Sequence, residues 1–160
     1  MKPVISLTWG ISLRSFSVDV NLTSQAATYT VRSMEPNTTE IKEAKATSSD
    51  IGKLGSSSKT GADHLQAIGD YLNRYESSKK TESPDERKAV AKARINKMAM
   101  GLLGGQCESI GLPESCAGRY IELKGLGKKL SQTYYITAVT HTIDGDSGFV
   151  TTFQVKGNTI

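Results

Sequence analysis

Tyr134-Tyr135-Ile136-Thr137-Ala138-Val139-Thr140-His141, the linking Ile143-Asp144-Gly145-Asp146-Ser147-Gly148, and Phe149-Val150-Thr151-Thr152-Phe153-Gln154-Val155 together decide the fold class. Phe149, Thr151, Phe153 and Val155 alternate with Val150, Thr152 and Gln154, the period of two that a half-buried strand requires. The Asp/Gly-rich segment between the runs is a turn signal, so the pair predicts a hairpin across Asp144 to Gly148.

Working outward, Cys107 to Ile110 reads as a short strand broken by Gly111-Leu112-Pro113-Glu114. Tyr120 to Leu123 reads as another, ended by Gly125-Leu126-Gly127-Lys128. Upstream, Ser83-Pro84-Asp85-Glu86 is a helix start: serine bonds an orphan amide, proline suits the first helical position, and Glu86 returns the bond. Ala91, Ile95, Met98 and Leu102 form one apolar stripe, with Gly104-Gly105 as the expected stop.

The N-terminal third reads as β. Phe16, Val18, Val20 and Leu22 alternate with polar residues, Thr23-Ser24-Gln25 is turn-length, and Ala27, Tyr29 and Val31 alternate again. Two such runs so close predict an antiparallel hairpin, ended near Pro36. From Thr38 to Gly61 the pattern fades into a Gly/Ser-rich polar loop. A short helix comes after it, with Asp63 as a cap and Leu65, Ile68, Leu72 and Tyr75 at helical spacing. The expected organisation is therefore one unit over 1–160: a β hairpin at 7–36, a variable polar loop and short helix at 37–82, a helix at 83–104 and strands at 105–160. The class is α+β, a mostly antiparallel barrel or sandwich with one or two flanking amphipathic helices.

Composition limits the rest. The 160 residues are 37% hydrophobic and 6% aromatic, and the apolar run from Met98 to Leu103 is far below the ~20 residues of a membrane span. The first residues turn polar before an apolar signal core develops. Two cysteines cannot frame a disulfide miniprotein, and reduced thiols are the expectation for Cys107 and Cys116. The net charge of +4 is local: seven bases and three acids lie between Lys79 and Lys97, and the remainder is neutral. A basic stripe docks phosphate, but a solvated helix face is the commoner origin.

Catalytic and metal patterns do not assemble. Gly52 to Thr60 lacks the glycine directly before lysine that a phosphate loop needs. Asp144 to Gly148 lacks the further acidic ligands of a calcium loop. His64 and His141 have no partner at zinc-ligand spacing, and no Gly-x-Ser-x-Gly elbow occurs. No cofactor and no enzymatic activity are expected. A carbohydrate-binding module, which would need exposed aromatics such as Trp9, and a nucleic-acid-binding module using Lys79 to Lys97 are the alternatives.

Several segments in order carry a resemblance: Lys88-Ala89-Val90-Ala91-Lys92-Ala93, Gly111-Leu112-Pro113-Glu114 and Ala117-Gly118-Arg119-Tyr120-Ile121-Glu122-Leu123-Lys124-Gly125-Leu126-Gly127. Tyr134 to His141 and Gly148-Phe149-Val150-Thr151-Thr152-Phe153 complete the series. It resembles the late control gene D family of contractile phage tails, baseplate hub proteins related to the hub region of type VI secretion spike proteins. The match covers about residues 87–157, with a weaker one from Leu7 to Met34. Ser115-Cys116 departs from the family's usual apolar residue, and Phe149 from its common tyrosine.

The resemblance implies a tail-tube type barrel doing structural work in a homotrimer, with tail tube protein, spike protein and other baseplate proteins as partners. It implies a place in the virion tail baseplate, assembled in the bacterial cytoplasm, with no membrane anchor and no specific nucleic acid. Gly111, Pro113, Gly118, Gly125, His141 and Thr151 would shape turns and strand pairing. Lys88, Lys92 and Arg94 would lie on a solvated or interfacial helix. Full hubs run to twice this length or more, so the chain would be one barrel unit.

Overall fold

A computed structural model describes residues 2–34, 39–55, 59–69, 72–77 and 83–160. It is α+β and mostly β, with two sheets of six and three strands. The strands are β1 (Ile5–Thr8), β2 (Leu13–Val20), β3 (Thr28–Met34), β4 (Ile41–Ala46), β5 (Asn73–Ser77), β6 (Leu103–Ile110), β7 (Tyr120–Lys124), β8 (Thr133–Asp144) and β9 (Gly148–Gly157). The helices are α1 (Gly61–Ile68), α2 (Pro84–Ala99) and the single turn α3 (Gly127–Leu130).

The six-stranded sheet runs β1-β7-β8-β9-β6-β2, antiparallel except where β1 pairs β7. Its two edge strands are consecutive in the chain, joined only by residues 9–12. Five residue steps reach at most about 18 Å, whereas edges of a flat six-stranded sheet lie roughly 24 Å apart. The sheet must therefore curl, and it does so as an open half-barrel. The corner is tied by the Thr8 carbonyl, which accepts from the Ile11 and Ser12 amides, and by Ser12 Oγ, which accepts from Thr8 N–H. Gly10, at φ 77°, takes the left-handed position there.

The curl encloses one core. Leu7, Leu13, Leu103, Ile121, Leu123, Tyr134, Phe153 and Val155 are almost fully buried in it. Each large apolar side chain so buried contributes about 1.5–3 kcal/mol before chain entropy is subtracted. The hairpin across Asp144 to Gly148 is present, with His141 opposite Thr151 and Ile143 opposite Phe149.

The N-terminal hairpin is not. β2 pairs β6, whereas β3 lies in the second sheet between β4, antiparallel, and β5, parallel. Thr23-Ser24-Gln25 is a crossover: Gln25, Ala26 and Ala27 are buried, and Gln25 Nε2 donates to the Met98 carbonyl at 2.7 Å. Pro36 lies outside the described residues.

The polar stretch after β3 holds two strands that its composition does not announce. β4 is Ile-Lys-Glu-Ala-Lys-Ala and β5 is Asn-Arg-Tyr-Glu-Ser. α1 stops at Gly69, so Leu72 and Tyr75 lie beyond it; its cap is Thr60, with Asp63 closing the box. Part of the Gly/Ser-rich loop lies outside the described residues.

α2 covers the three-stranded sheet and not the large one. Ala91, Ile95 and Ala99 pack with Val31, Ala46, Ile51 and Ala62 in a second, smaller core. The helix ends at Ala99, and Leu103 already belongs to β6. Gly104-Gly105 therefore stand inside a strand. A Cβ on Gly105 would meet the Ser17 carbonyl at 2.7 Å, so glycine is what lets β6 lie against β2.

Candidate functional site

Two surfaces gather residues that are distant in the chain. The first is the outer face of the large sheet. The inner-facing residues of β2, Phe16 and Val18, alternate with Ser15, Ser17 and Asp19. Register carries that alternation across the sheet: Ser17 lies opposite Gln106, Gln106 opposite Gln154, and Asp19 and Lys156 both flank Gly104. With Thr137 these residues line a shallow open hollow of about 580 Å³. Glu108, Thr152 and Thr140 extend it toward the hairpin. Four adjacent strands thus present polar side chains of mixed charge. The sequence held this face in the off-positions of its alternating runs.

The second lies where the hairpin leaves the barrel. His141 Nδ1 is 3.0 Å from Thr151 Oγ1, and that oxygen accepts from Leu112 N–H at 2.9 Å. Gly111 sits beneath Phe149, where a Cβ would come within 2.1 Å of the ring. The Phe149 ring tilts against His141 at 5.8 Å. Pro113 is exposed in the turn closed by Ser115 N–H on the Leu112 carbonyl. Gly111, Pro113, His141 and Thr151, far apart in sequence, are therefore one local structure. Gly118 and Gly125 lie elsewhere, both at positive φ: the first bonds the Ile136 carbonyl, the second packs against Trp9.

The basic helix is engaged by its own chain. Arg94 makes two 2.9 Å bonds to the Glu76 carboxylate on β5, and Lys88 reaches Asp50 at 2.9 Å and the Lys45 carbonyl at 2.6 Å. The Arg94 hydrogen bond, then the Tyr29 hydroxyl, holds the Glu76 carboxyl below its ordinary value. Lys88 does the same for Asp50. Lys92 is exposed on the same helix. Two of the three bases thus fasten the helix to its sheet.

Chemistry elsewhere is sparse. Cys107 is buried, and burial pushes its thiol up to about 12; Cys116 is exposed. Among the described residues no three His, Cys, Asp or Glu side chains gather in a metal-binding group, and no helix is long and apolar enough to cross a membrane. The Asp144 carboxylate accepts the Ser147 hydroxyl and the amides of Asp146 and Ser147, which closes the hairpin tip.

The fold is shared with solved tail proteins. The 43 kDa tail protein of prophage MuSo2 from Shewanella oneidensis superposes at TM-score 0.66 and 11% identity, over 94% of this chain and 42% of that one. A tail protein from Neisseria meningitidis MC58 gives 0.65 at 8% identity, over 98% and 44%. A chain of the native gene transfer agent virion gives 0.55 at 11%, over 99% and 32%. This chain therefore spans less than half the length of each. No curated protein matches it by sequence. The family model described as the Alg8 N-terminal domain matches residues 1–145, and the chain belongs to that family.

Proposed function

We propose that the chain is a structural component of a phage tail or tail-like particle, a single barrel unit of the baseplate hub that joins tail tube to central spike. The observation carrying this reading is the outer face of β2, β6, β9 and β8. A β-sheet that buries one face usually solvates the other with charged side chains; this one centres serine, threonine, glutamine and glycine, with Asp19 and Lys156 as the charges among them. Such a wall suits a channel that must pass a polymer without holding it. The likeness in fold to prophage and bacterial tail proteins and to a chain of a gene transfer agent virion supports the same reading.

On this reading the chain acts by assembly and not by turnover, in three copies around the spike axis. Gly111, Pro113, His141 and Thr151 support the base of the hairpin, Gly118 and Gly125 set the turns on either side of β7, and the outer face of α2, with Lys92, is available to neighbours. The resemblance in the segment from Lys88 to Phe153 supports the hub position in particular. Co-expression with a tail tube protein and a spike protein of a contractile tail tests it. The expected product is a complex containing three copies by light scattering, ring-shaped in electron micrographs. Failure to bind either protein at high concentration would overturn the hub assignment.

A further inference from the structure

The hairpin carries an open edge. Ile136 turns its backbone outward, donating to the Arg119 carbonyl and accepting from Gly118 N–H, both at 2.9 Å. β7 pairs β8 only at Thr133, Tyr134 and Tyr135. From Ala138 to Asp144, β8 is paired to β9 on one side and, among the described residues, to nothing on the other. Residues 140–144 are all exposed, and Ile143 is 79% so. The segment has no lysine and no proline, the usual protections of a free edge.

Its sequence is close to a palindrome. Ala138-Val139-Thr140-His141-Thr142-Ile143-Asp144 reads from His141 as threonine, then a β-branched aliphatic residue, in both directions. We propose that a second copy of this chain pairs antiparallel with this edge about a two-fold axis at His141. Register against β9 slips by one at Thr137, which moves the outward-facing backbone from the even residue Ile136 to Val139, His141 and Ile143. In the pair, His141 faces His141 and exchanges two hydrogen bonds. Val139 faces Ile143 of the other copy twice, adding four more. The exposed Ile143 gains an apolar cross-strand neighbour, and Thr140 meets Thr142, both favourable pairings.

The ends fit as well. Asp144 of one copy falls opposite Ala138 of the other, so the hairpin tip stops before the position at Ile136 that the Gly118-Arg119 loop fills. The tip carries Asp144 and Asp146, and the loop presents the exposed Arg119, so opposite charges meet at both ends. An interface built isologously from one strand needs this self-complementarity. The proposal concerns the free chain and does not rest on the tail assignment.

Facing residues in a hydrogen-bonded antiparallel pair have Cα atoms about 5.5 Å apart, within disulfide range. The test is His141→Cys in a Cys116→Ser background, using the full chain under mild oxidation. A covalent dimer at position 141 is expected, with little cross-linking for Thr140→Cys or Thr142→Cys in the same background. Light scattering at high micromolar concentration should give a dimer for the unmodified chain and for His141→Gln. His141→Lys, which sets like charges face to face, should give monomer with an unchanged circular dichroism spectrum. A monomeric unmodified chain, equal cross-linking at all three positions, or a dimer that survives His141→Lys would each overturn the proposal.

Discussion

At the residue scale the structure makes sharp demands at two positions. Gly111 has no room for a methyl group, since the Phe149 ring fills the space a Cβ would take. Gly111→Ala should therefore cost about 1–3 kcal/mol, the usual range for overpacking. Removing the obstacle should return much of it: Gly111→Ala with Phe149→Ala is expected to be less destabilised than the two changes summed. Urea denaturation of the four proteins measures the coupling, and strict additivity would mean the contact is not the cause. Cys107 makes the second demand. Its thiol is buried in the barrel core and pushed up from about 9 to about 12 by that burial. The unfolded chain thus releases a proton in a pH range where the folded chain keeps it. Stability attributable to the neutral thiol is full below pH 9 and falls as pH rises toward 12. Tyr134, its neighbour in the core, is raised by burial in the same direction. Cys107→Ala should flatten that alkaline limb. In a thiol-reagent assay at neutral pH, Cys116 should label in the native protein and Cys107 only after unfolding.

At the element scale, the second half of β6, β7 to β9 and the helix start are legible in the sequence because local signals agree with the global fold. The Ser83 cap shows this: its hydroxyl accepts from Glu86 N–H at 3.2 Å, and the Glu86 carboxylate accepts from Ser83 N–H at 3.3 Å. Ser83→Ala should lower stability by about 1 kcal/mol, read from the thermal midpoint. β4 and β5 are illegible for the opposite reason. Lysine, glutamate and alanine favour a helix, and only pairing with β3 beneath α2 makes Ile41–Ala46 a strand. The N-terminal alternation misleads because Thr23-Ser24-Gln25 has turn composition, while the burial of Gln25 and its bond to Met98 carry the chain across to the second sheet. The polar wall is half legible: each strand shows its off-face, but only register aligns Ser17, Gln106 and Gln154. The ion pairs of α2 are invisible because their acids, Asp50 and Glu76, sit on elements the sequence hides. Both carboxyls are held below their ordinary values, so the stability they add is present above the normal carboxylate range and lost as pH falls through their folded values. Arg94→Ala should weaken that acid dependence with little effect on stability at neutral pH, because Arg94 reaches the partly buried Glu76 from an exposed position.

At the scale of the whole molecule, the two cores are unequal, and this should govern how the protein opens. The barrel core holds five leucines with Ile121, Ile136, Tyr134 and Phe153, all nearly inaccessible. The second core is made of Val31, Ile51, Ile95 and four alanines. Burial free energy scales with apolar area, so the second core has much less to set against the ordering of α2 and three short strands. Two short segments join them, residues 21–27 between β2 and β3 and residues 100–102 between α2 and β6. A unit of low apolar content on two short connections can open while the large sheet stays intact. Native-state hydrogen exchange should then show amides of α2, β3 and β4 exchanging at lower free energy than those of β6 and β9, which lie between other strands in the large sheet. Val31→Ala should widen the gap by about 1–3 kcal/mol in the first group and leave the second unchanged. Equal exchange free energies in both groups, or a Val31→Ala effect spread over β6 and β9, would show one cooperative unit instead. The distinction bears on assembly: a barrel that stays closed while the helix-bearing sheet moves can hold the polar wall fixed as α2 adjusts to a neighbour.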